Sequence, residues 1–462
     1  MIIHIFAIEY RIRIMQNEKN YEYKKAEVSD LLSDVNIPLF FDNGSTHKKK
    51  GAINVLSLFS GCGGMDLGLE GNFICHRKSV GLHSEWVEQS INSDWVLLKK
   101  NRFNTVFAND ILKEAYLTWT HYMKRFDIES STFHRESVVN LVKLHHQGVQ
   151  VFPTDIDVVT GGFPCQDFSV AGKRCGFDSQ MTHDGHKKGE ADSNDETRGR
   201  LYDWMRQVIE ITRPKIFIAE NVKGLVSLGD VKNVIQRDFA SAGNNGYYVF
   251  NPQVLHAGNY GVPETRERII FIGVRIDALN EKTRDIILNH TLPEEYNPYP
   301  KPTHSYTCKD SSLPLPVVCR DVLEHLKEPD QSMDLSQIFY SKAKYMGVHC
   351  QGQSEINIDG LAPTIRSEHH GNIEFRRLSK EHGGALLDEL SSGKDERRLT
   401  PRECALIQTF PPDYTFVRYK DYSKRFEVSG SGAYKVIGNA VPPMLAFNIA
   451  KRIEQIWDLY FN

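Results

Sequence analysis

The stretch GGFPCQDFS, residues 161 to 169, places a thiol behind a proline, at the end of an apolar run that contains Ile156, Val158 and Val159. Four roles are open to such a cysteine: buried hydrophobe, metal ligand, redox centre or nucleophile. The eight cysteines contain no CxxC pair and no Cys/His cluster of zinc-ligand spacing, so disulfides and structural zinc are not expected. Position favours the nucleophile. Other apolar runs also end in residues that can do chemistry: INVLSLF (53 to 59) leads into SGCGG, NTVFAND (104 to 110) ends in Asp110, and KIFIAEN (215 to 221) ends in Glu220 and Asn221. A thiol near helix N-termini can be held as a thiolate, and a carboxylate at the next strand end can act as its proton donor or hydrogen-bond partner.

These strings can act together only if the runs are neighbouring strands. With RIIFIGVR (268 to 275) the runs number five, and segments of helical period such as LYDWMRQVIEIT (201 to 212) lie between several of them. That alternation predicts a largely parallel sheet covered on both faces, whose ligands bind beyond the carboxyl ends of the strands. The glycines of residues 60 to 64 allow close backbone approach and open a helix with a positive N-terminal end. Asp110 stands where nucleotide-binding sheets carry an acid for two ribose hydroxyls. Gly64 and Asp110 are 46 residues apart, against a usual gap of about 20, so an insertion is expected near residues 71 to 100.

A chain of 462 residues is expected to form one large domain with a smaller one or a long insertion. There is no run of 18 apolar residues, and the opening MIIHIFAIEYRIRI carries charges within its apolar stretch, so neither a membrane span nor a secretory signal is expected. The net charge of −3 does not announce a nucleic-acid partner. The local basic runs HKKK (47 to 50), RRL (376 to 378) and RRLTPR (397 to 402) could hold phosphates or form solvated faces. Residues 1 to 50 are polar, with a short helix expected near AEVSDLLSDV. After residue 276 prolines and scattered apolar residues predict irregular and β structure, and an amphipathic helix over 442 to 461 closes the chain.

Taken in order, the strings resemble the motifs of the DNA (cytosine-5) methyltransferases of the restriction-modification type. LFSGCGGMDLGLE (58 to 70) resembles the motif that binds S-adenosylmethionine, GGFPCQDFSVAGKRCGF (161 to 177) the catalytic motif, and AENVKGL (219 to 225) the Glu-Asn-Val motif. NYGVPETRERIIFIGVR (259 to 275), RRLTPRECALIQTFP (397 to 411) and YKVIGNAVPPMLAFNIA (434 to 450) resemble the later motifs. The resemblance implies an α/β, Rossmann-like S-adenosylmethionine-dependent methyltransferase fold: a mostly parallel seven-stranded sheet with helices on both faces, plus a smaller irregular and β target-recognition domain. The divisions it implies are a polar extension (1 to 50), a catalytic domain (51 to 275), a target-recognition domain (276 to 433) and a C-terminal helix returning to the catalytic domain (434 to 462).

The resemblance also implies roles. Cys165 adds to C6 of cytosine, which makes C5 nucleophilic. Glu220, raised in pKa by burial, serves the ring nitrogen N3, Asn221 holds its loop, and Arg266 and Arg268 contact the ring oxygen and neighbouring groups. For the cofactor, Phe59 stacks near adenine, the turn Ser60, Gly61, Cys62, Gly63 and Gly64 meets the amino-acid end, and Asp110 takes the ribose with Ile111 beside it. Pro164 and Asn439 line the same pocket, Gly438 gives the bend before the last helix, and Glu136 and Ser137 add cofactor contacts. No metal is implied.

The implied substrate is double-stranded DNA with the target base swung out. Gln166 and Ser169 lie around that nucleotide, the loop 178 to 199 acts as a gate, and Arg366, His369 and His370 in APTIRSEHHGNIEFRRL (362 to 378) touch bases or phosphates. Glu264 stands where the family has glutamine. A restriction endonuclease acting on the same site, no membrane, a monomer, and a cytoplasmic location at the nucleoid when DNA is bound complete the expectations. Three other readings share some of these features: an RNA cytosine methyltransferase, a non-catalytic binding module, and a nicotinamide-dependent dehydrogenase suggested by the glycine turn and acid alone.

Overall fold

The computed structural model describes residues 51–164, 200–243, 246–367, 373–420 and 425–462. The roles expected of Cys165, Gln166, Ser169, His369, His370, the loop from 178 to 199 and the N-terminal extension fall outside the described residues.

The apolar runs become strands β1 (Ile53–Leu58), β5 (Phe103–Asn109), β7 (Val158–Gly162), β8 (Ile216–Val222) and β11 (Glu267–Arg275). Between β1 and β5 the expected insertion forms its own antiparallel sheet of β2 (Ile74–His76), β3 (Val87–Ser90) and β4 (Trp95–Leu98). Strand β6 (Phe133–His134) adds to one edge of the main sheet, and β9 (Tyr247–Val249) and β10 (Gln253–His256) to the other. The order is β10-β11-β8-β7-β1-β5-β6, with β9 also on β11. β9 pairs with residues 273 to 275 of β11 and β10 with residues 267 to 270, so two short strands share one place. Eight strands therefore occupy seven positions. β6, β5, β1, β7 and β8 run parallel, while β11 is antiparallel to β8.

Side chains on a strand alternate between faces, and the core divides accordingly. Val55, Val158, Ile218 and Ile272 face one apolar layer that includes the closing helix Pro443–Phe461. Leu56, Val159, Phe217 and Phe271 face the other, made with helices Leu201–Thr212 and Val231–Ala240. Helix Gly64–Glu70 lies on the closing helix, where a Cβ at Gly68 would stand 2.4 Å from that of Ala446.

Two of the basic runs are neither solvated faces nor free phosphate sites. Arg397 bonds Glu403 through both Nη atoms at 2.8 and 2.9 Å and Glu328 at 2.7 Å. Arg376 and Arg377 reach Glu389 at 2.8 and 2.5 Å, and Arg402 reaches Asp334 at 2.5 Å. All four arginines are buried, and a buried guanidinium needs such partners because its desolvation otherwise goes uncompensated. The network fastens the short pair Phe375–Arg377 and Arg397–Arg398 to helix Pro401–Ile407, whose Thr400 and Glu403 form a reciprocal N-terminal cap.

Candidate active site

Register brings the strand ends together. Leu58 on β1 lies beside Asn109 on β5 and Gly161 on β7, and Gly162 lies beside Glu220 on β8. The next residues, Phe59, Asp110 and Phe163, therefore leave the sheet side by side. Antiparallel β11 brings its first residues to the same edge, with Arg268 paired to Val222.

Beyond that edge lies a cavity of about 580 Å³. From the glycine turn it is lined by Phe59, Ser60, Gly61 and Gly64, and beside them by Asp110 and Ile111. Its wall continues through Ser137, Pro164, Glu220, Arg268 and Asn439. Eleven of the residues expected at the cofactor or catalytic site thus share one space. Phe59 turns with φ 52°, a left-handed conformation that costs a residue with a side chain about 1 kcal/mol or more and so reports local constraint.

Asp110 closes the glycine turn. Gly61 N–H donates to its Oδ2 at 3.0 Å and Leu112 N–H to its Oδ1 at 2.8 Å. Each carboxylate oxygen keeps acceptor capacity after one bond, enough for the two hydroxyls of a ribose. Burial pushes this carboxyl above its ordinary range, while the N–H donors of Leu112 and Gly61 and the charge of Lys435 pull it back.

Two residues of the turn do other work. Cys62 is buried, with its Sγ 3.3 Å from Val436 O and its carbonyl accepting from Tyr414 Oη at 2.6 Å. Gly63, at φ 80°, donates its N–H to Ser60 O at 2.8 Å, and a Cβ there would fall 2.7 Å from the Trp119 ring. Neither lines the cavity. Their part is to shape the turn, since the Gly61 and Gly63 amides are both spent inside the protein rather than left for a ligand.

On the other side of the cavity Arg268 Nε stands 2.6 Å from Glu220 Oε1. A Cβ on Gly162 would lie 2.8 Å from Glu220 Oε2, so the missing side chain makes the space that this oxygen uses. Asn221 donates to Phe163 O at 3.1 Å and accepts from Val222 N at 2.8 Å. It thereby ties the end of β8 to the backbone two residues before Cys165.

Arg266 departs from its expected place at the substrate. It is 1% exposed, does not line the cavity, and donates to Ile365 O at 2.9 Å, Gly438 O at 3.0 Å and Ala440 O at 2.7 Å. Three carbonyls and a nearby carboxylate satisfy a guanidinium better than an open pocket would, and they draw it inside. That carboxylate is Glu264, whose Oε1 lies 3.5 Å from Arg266 Nη1 and accepts from Ile365 N at 2.6 Å. Burial pushes the Glu264 carboxyl up, and Arg266 opposes this. Gly438 meets Arg366 so closely that a Cβ would fall 2.1 Å from its carbonyl carbon. Arg366 is half-buried, and its backbone meets Gly438 at this rim. Glu136 supports from behind, its carbonyl accepting from Asn109 Nδ2 at 2.6 Å and its Oε1 from Ser137 N at 2.8 Å.

Sequence reasoning missed two residues. Lys435 lines the cavity near Asp110, although it stands in the quoted string YKVIGN. Asp66 is fully buried under the turn, where Ser57 Oγ donates to its Oδ1 at 2.5 Å and Trp119 Nε1 to its Oδ2 at 2.6 Å. Burial, against those two bonds, pushes its carboxyl up to about 6. The signal for Asp66 was an acid in the first turn of a helix too apolar to face water.

The sequence profile of the C-5 cytosine-specific DNA methylases matches residues 53–455. The chain is 31% identical over 421 residues to the Type II methyltransferase M.BsuRI of Bacillus subtilis, with 88% of this chain and 80% of that protein covered. It is 31% identical over 464 residues to M.BspRI of Lysinibacillus sphaericus, with 96% and 90% covered. Among solved structures, the Entamoeba histolytica methyltransferase EhMeth aligns with TM-score 0.50 at 15% identity over 88% of this chain and 99% of that one, a likeness of fold. Among the described residues no helix is long and apolar enough to cross a membrane.

Proposed function

The chain belongs to the C-5 cytosine-specific DNA methylase family, and on that premise we propose that it methylates C5 of one cytosine within a specific duplex sequence, through an adduct of Cys165 with C6 of the extruded base. The observation that carries this reading is the single cavity whose wall runs from the glycine turn to Glu220 and Arg268, with Pro164, the residue before Cys165, between them.

The residues fit S-adenosylmethionine. Asp110 offers a two-pronged acceptor, Phe59 and Ile111 offer apolar wall, and about 580 Å³ lies within the range of pockets that enclose ligands of this size. Bound there, the cofactor supplies an electrophilic methyl group carried on a sulfonium.

The chain's own residues act on the base. The Cys165 thiolate adds to C6, its electron pair forming the C–S bond while the ring electrons move toward C5 and N3. Glu220 holds the N3 side, oriented by Arg268 through Oε1 and given room by Gly162 at Oε2. Asn221 fixes the backbone that leads to the thiol. After C5 gains the methyl group, a base takes the C5 proton and the C–S bond breaks, which returns the electron pair to sulfur and restores the ring. Closing water out of the cavity protects this sequence of steps.

Methyl transfer from labelled S-adenosylmethionine to duplex DNA and to transfer RNA, run side by side, tests the reading. Label is expected in duplex DNA alone, and label confined to RNA would overturn it. Cys165→Ser is expected to abolish turnover while the cofactor still binds; a serine variant that turns over would mean another nucleophile. A host-protecting role in a restriction-modification system, with an endonuclease of the same specificity, is the biological setting we propose. Bisulfite sequencing of DNA from expressing cells reads the site, and that DNA should resist an endonuclease that cuts there.

A further inference from the structure

Beneath the glycine turn runs a buried chain of hydrogen bonds that the proposed chemistry does not use. Asp66 is 0% exposed, and two neutral donors meet its carboxyl: Ser57 Oγ at 2.5 Å on Oδ1 and Trp119 Nε1 at 2.6 Å on Oδ2. Ser57 Oγ in turn lies 2.9 Å from Ser60 Oγ, which accepts from Asn109 N at 3.1 Å. Ser57 and Ser60 both line the cavity, so two hydroxyls connect a buried carboxyl to the space that fits the methyl donor.

A hydroxyl has one proton to give and two lone pairs to receive with, so such a chain has a direction, and Asp66 sets it. With Asp66 ionised, both of its oxygens accept and Ser57 donates to Oδ1. Ser60 then gives its proton to Ser57 Oγ or to Ser57 O, 3.1 Å away, and keeps one lone pair beyond the one that Asn109 N fills. Protonation of Asp66 reverses the order. Trp119 Nε1–H can only donate and holds Oδ2, which leaves the new proton on Oδ1 to donate to Ser57 Oγ. Ser57 now donates to Ser60 and fills its second lone pair. Ser60 thus offers the cavity an acceptor in one state and none in the other.

The rest of the wall narrows what that acceptor receives. The Gly61 and Gly63 N–H groups are bonded inside the protein, to Asp110 and to Ser60 O, while Lys435 brings an ammonium to the same cavity. A ligand carboxylate has Lys435 to meet, whereas a ligand ammonium needs an acceptor. S-adenosylmethionine carries both groups at its amino-acid end. An ionised Asp66 also attracts the ammonium, so charge and hydrogen bonding act with one sign.

The geometry points to Asp66 as a positioning residue for the cofactor: ionised, it turns the Ser57–Ser60 pair so that Ser60 accepts from the cofactor's ammonium, and protonated, it withdraws that acceptor. The inference rests on the proposed function and adds a control by pH to it. Burial, against the bonds from Ser57 and Trp119, lifts the Asp66 carboxyl to about 6. The other titratable groups whose charge reaches it are Cys62, Glu70 and Tyr414. Burial pushes the Cys62 thiol and the Tyr414 hydroxyl up, so both stay neutral through this range. Glu70 is raised by burial too, and its hydrogen bond goes to Thr105 N at 2.6 Å rather than to the serine pair.

Calorimetric titration of the full chain with S-adenosylmethionine between pH 5 and pH 7 tests it. Binding that needs ionised Asp66 is weakened by the fraction ionised, so affinity should fall about ten-fold from pH 7 to pH 5. At pH 6, in buffers of different ionisation enthalpy, the parent should release about half a proton per cofactor bound. D66N should bind at every pH as the parent does at pH 5, because Trp119 holds the single amide oxygen and the amide nitrogen donates to Ser57. S57A breaks the chain and should likewise lose the pH dependence and the proton release. Melting temperatures at pH 7 report the folding of both variants, and proton release by the parent needs no variant. Parental release near zero would overturn the inference, as would a pH profile that survives in folded D66N or S57A and so belongs to Asp110 or Glu70. A parent that binds no S-adenosylmethionine would refute the proposed function and the inference with it, whereas pH-independent binding refutes the inference alone.

Discussion

Gly162→Ala separates positioning from folding at the site. The built Cβ stands 2.8 Å from Glu220 Oε2 and 3.9 Å from its Cδ, with no other heavy atom within 4 Å. Ordinary contact begins near 3.4 Å, so the carboxylate must give way by about 0.6 Å. Its Oε1 is pinned 2.6 Å from Arg268 Nε, and the displacement has to come from rotating Oε2 away from where the base would sit. The far end of a side chain yields cheaply, so the melting temperature is expected to stay within a few degrees of the parent. Catalysis should not be so tolerant: misplacing a reacting group by about 1 Å costs up to roughly 100-fold, which puts the expected fall in kcat/KM at about 10- to 100-fold. Glu220→Gln sets the scale, since removing a general acid costs roughly 100- to 10,000-fold, and Gly162→Ala should fall short of it. Tritiated methyl incorporation into duplex DNA gives the rates, and isothermal titration should show S-adenosylmethionine affinity unchanged. Turnover within two-fold of the parent would refute the claim that Glu220 works from this position.

Asp110→Ala removes an acceptor of two charge-assisted hydrogen bonds and should weaken S-adenosylmethionine about 10- to 150-fold, corresponding to about 1.5–3 kcal/mol, as measured by calorimetry; a change below three-fold would remove Asp110 from the ribose. Gly438→Ala meets backbone, 2.1 Å from Arg366 C and 2.3 Å from Ser367 N, and is expected to cost about 1–3 kcal/mol in urea unfolding, unlike Gly162→Ala. Asp66 titrates near 6 in the folded protein against an ordinary 3.8, so the folded state holds this proton more tightly than the unfolded state. Its share of stability is therefore greatest below about pH 4 and is lost as pH rises through about 6, by on the order of 3 kcal/mol. Asp66→Asn should lose less stability between pH 5 and 7.5 than the parent when urea midpoints are compared, and an equal loss would place the titration elsewhere.

The strands were legible because strands buried on both faces leave short continuous apolar, β-branched runs, and the chemistry was legible because each run stopped in a residue that a sheet edge can use. Arg266 was not. Two residues before Arg268, it looks like a second arginine for the same face, but β11 begins at Glu267, so strand alternation does not extend to it. The backbone before the strand turns its side chain inward to three carbonyls that come from residues 365, 438 and 440. The arginines at 376, 377, 397 and 402 were read as surface charge for a similar reason. Their acids Glu328, Asp334 and Glu389, and also Glu403, are assembled by the fold, and no local pattern announces them.

The same buried contacts explain how one cavity can serve two ligands. Arg266 joins Ile365 to the Gly438–Ala440 turn, which lines the cavity that fits the methyl donor. Glu264 takes the Ile365 N–H while Arg266 takes the Ile365 carbonyl, so the backbone of that one residue is gripped on both sides by side chains two positions apart. A glutamine at position 264 could accept the same N–H, but its neutral amide would not supply the carboxylate that lies 3.5 Å from Arg266 Nη1. Glutamate supplies both the acceptor and the charge. The departure at 264 thus brings a carboxylate beside Arg266 together with a carboxyl oxygen, Oε2, that is buried without a hydrogen-bond partner among the described residues.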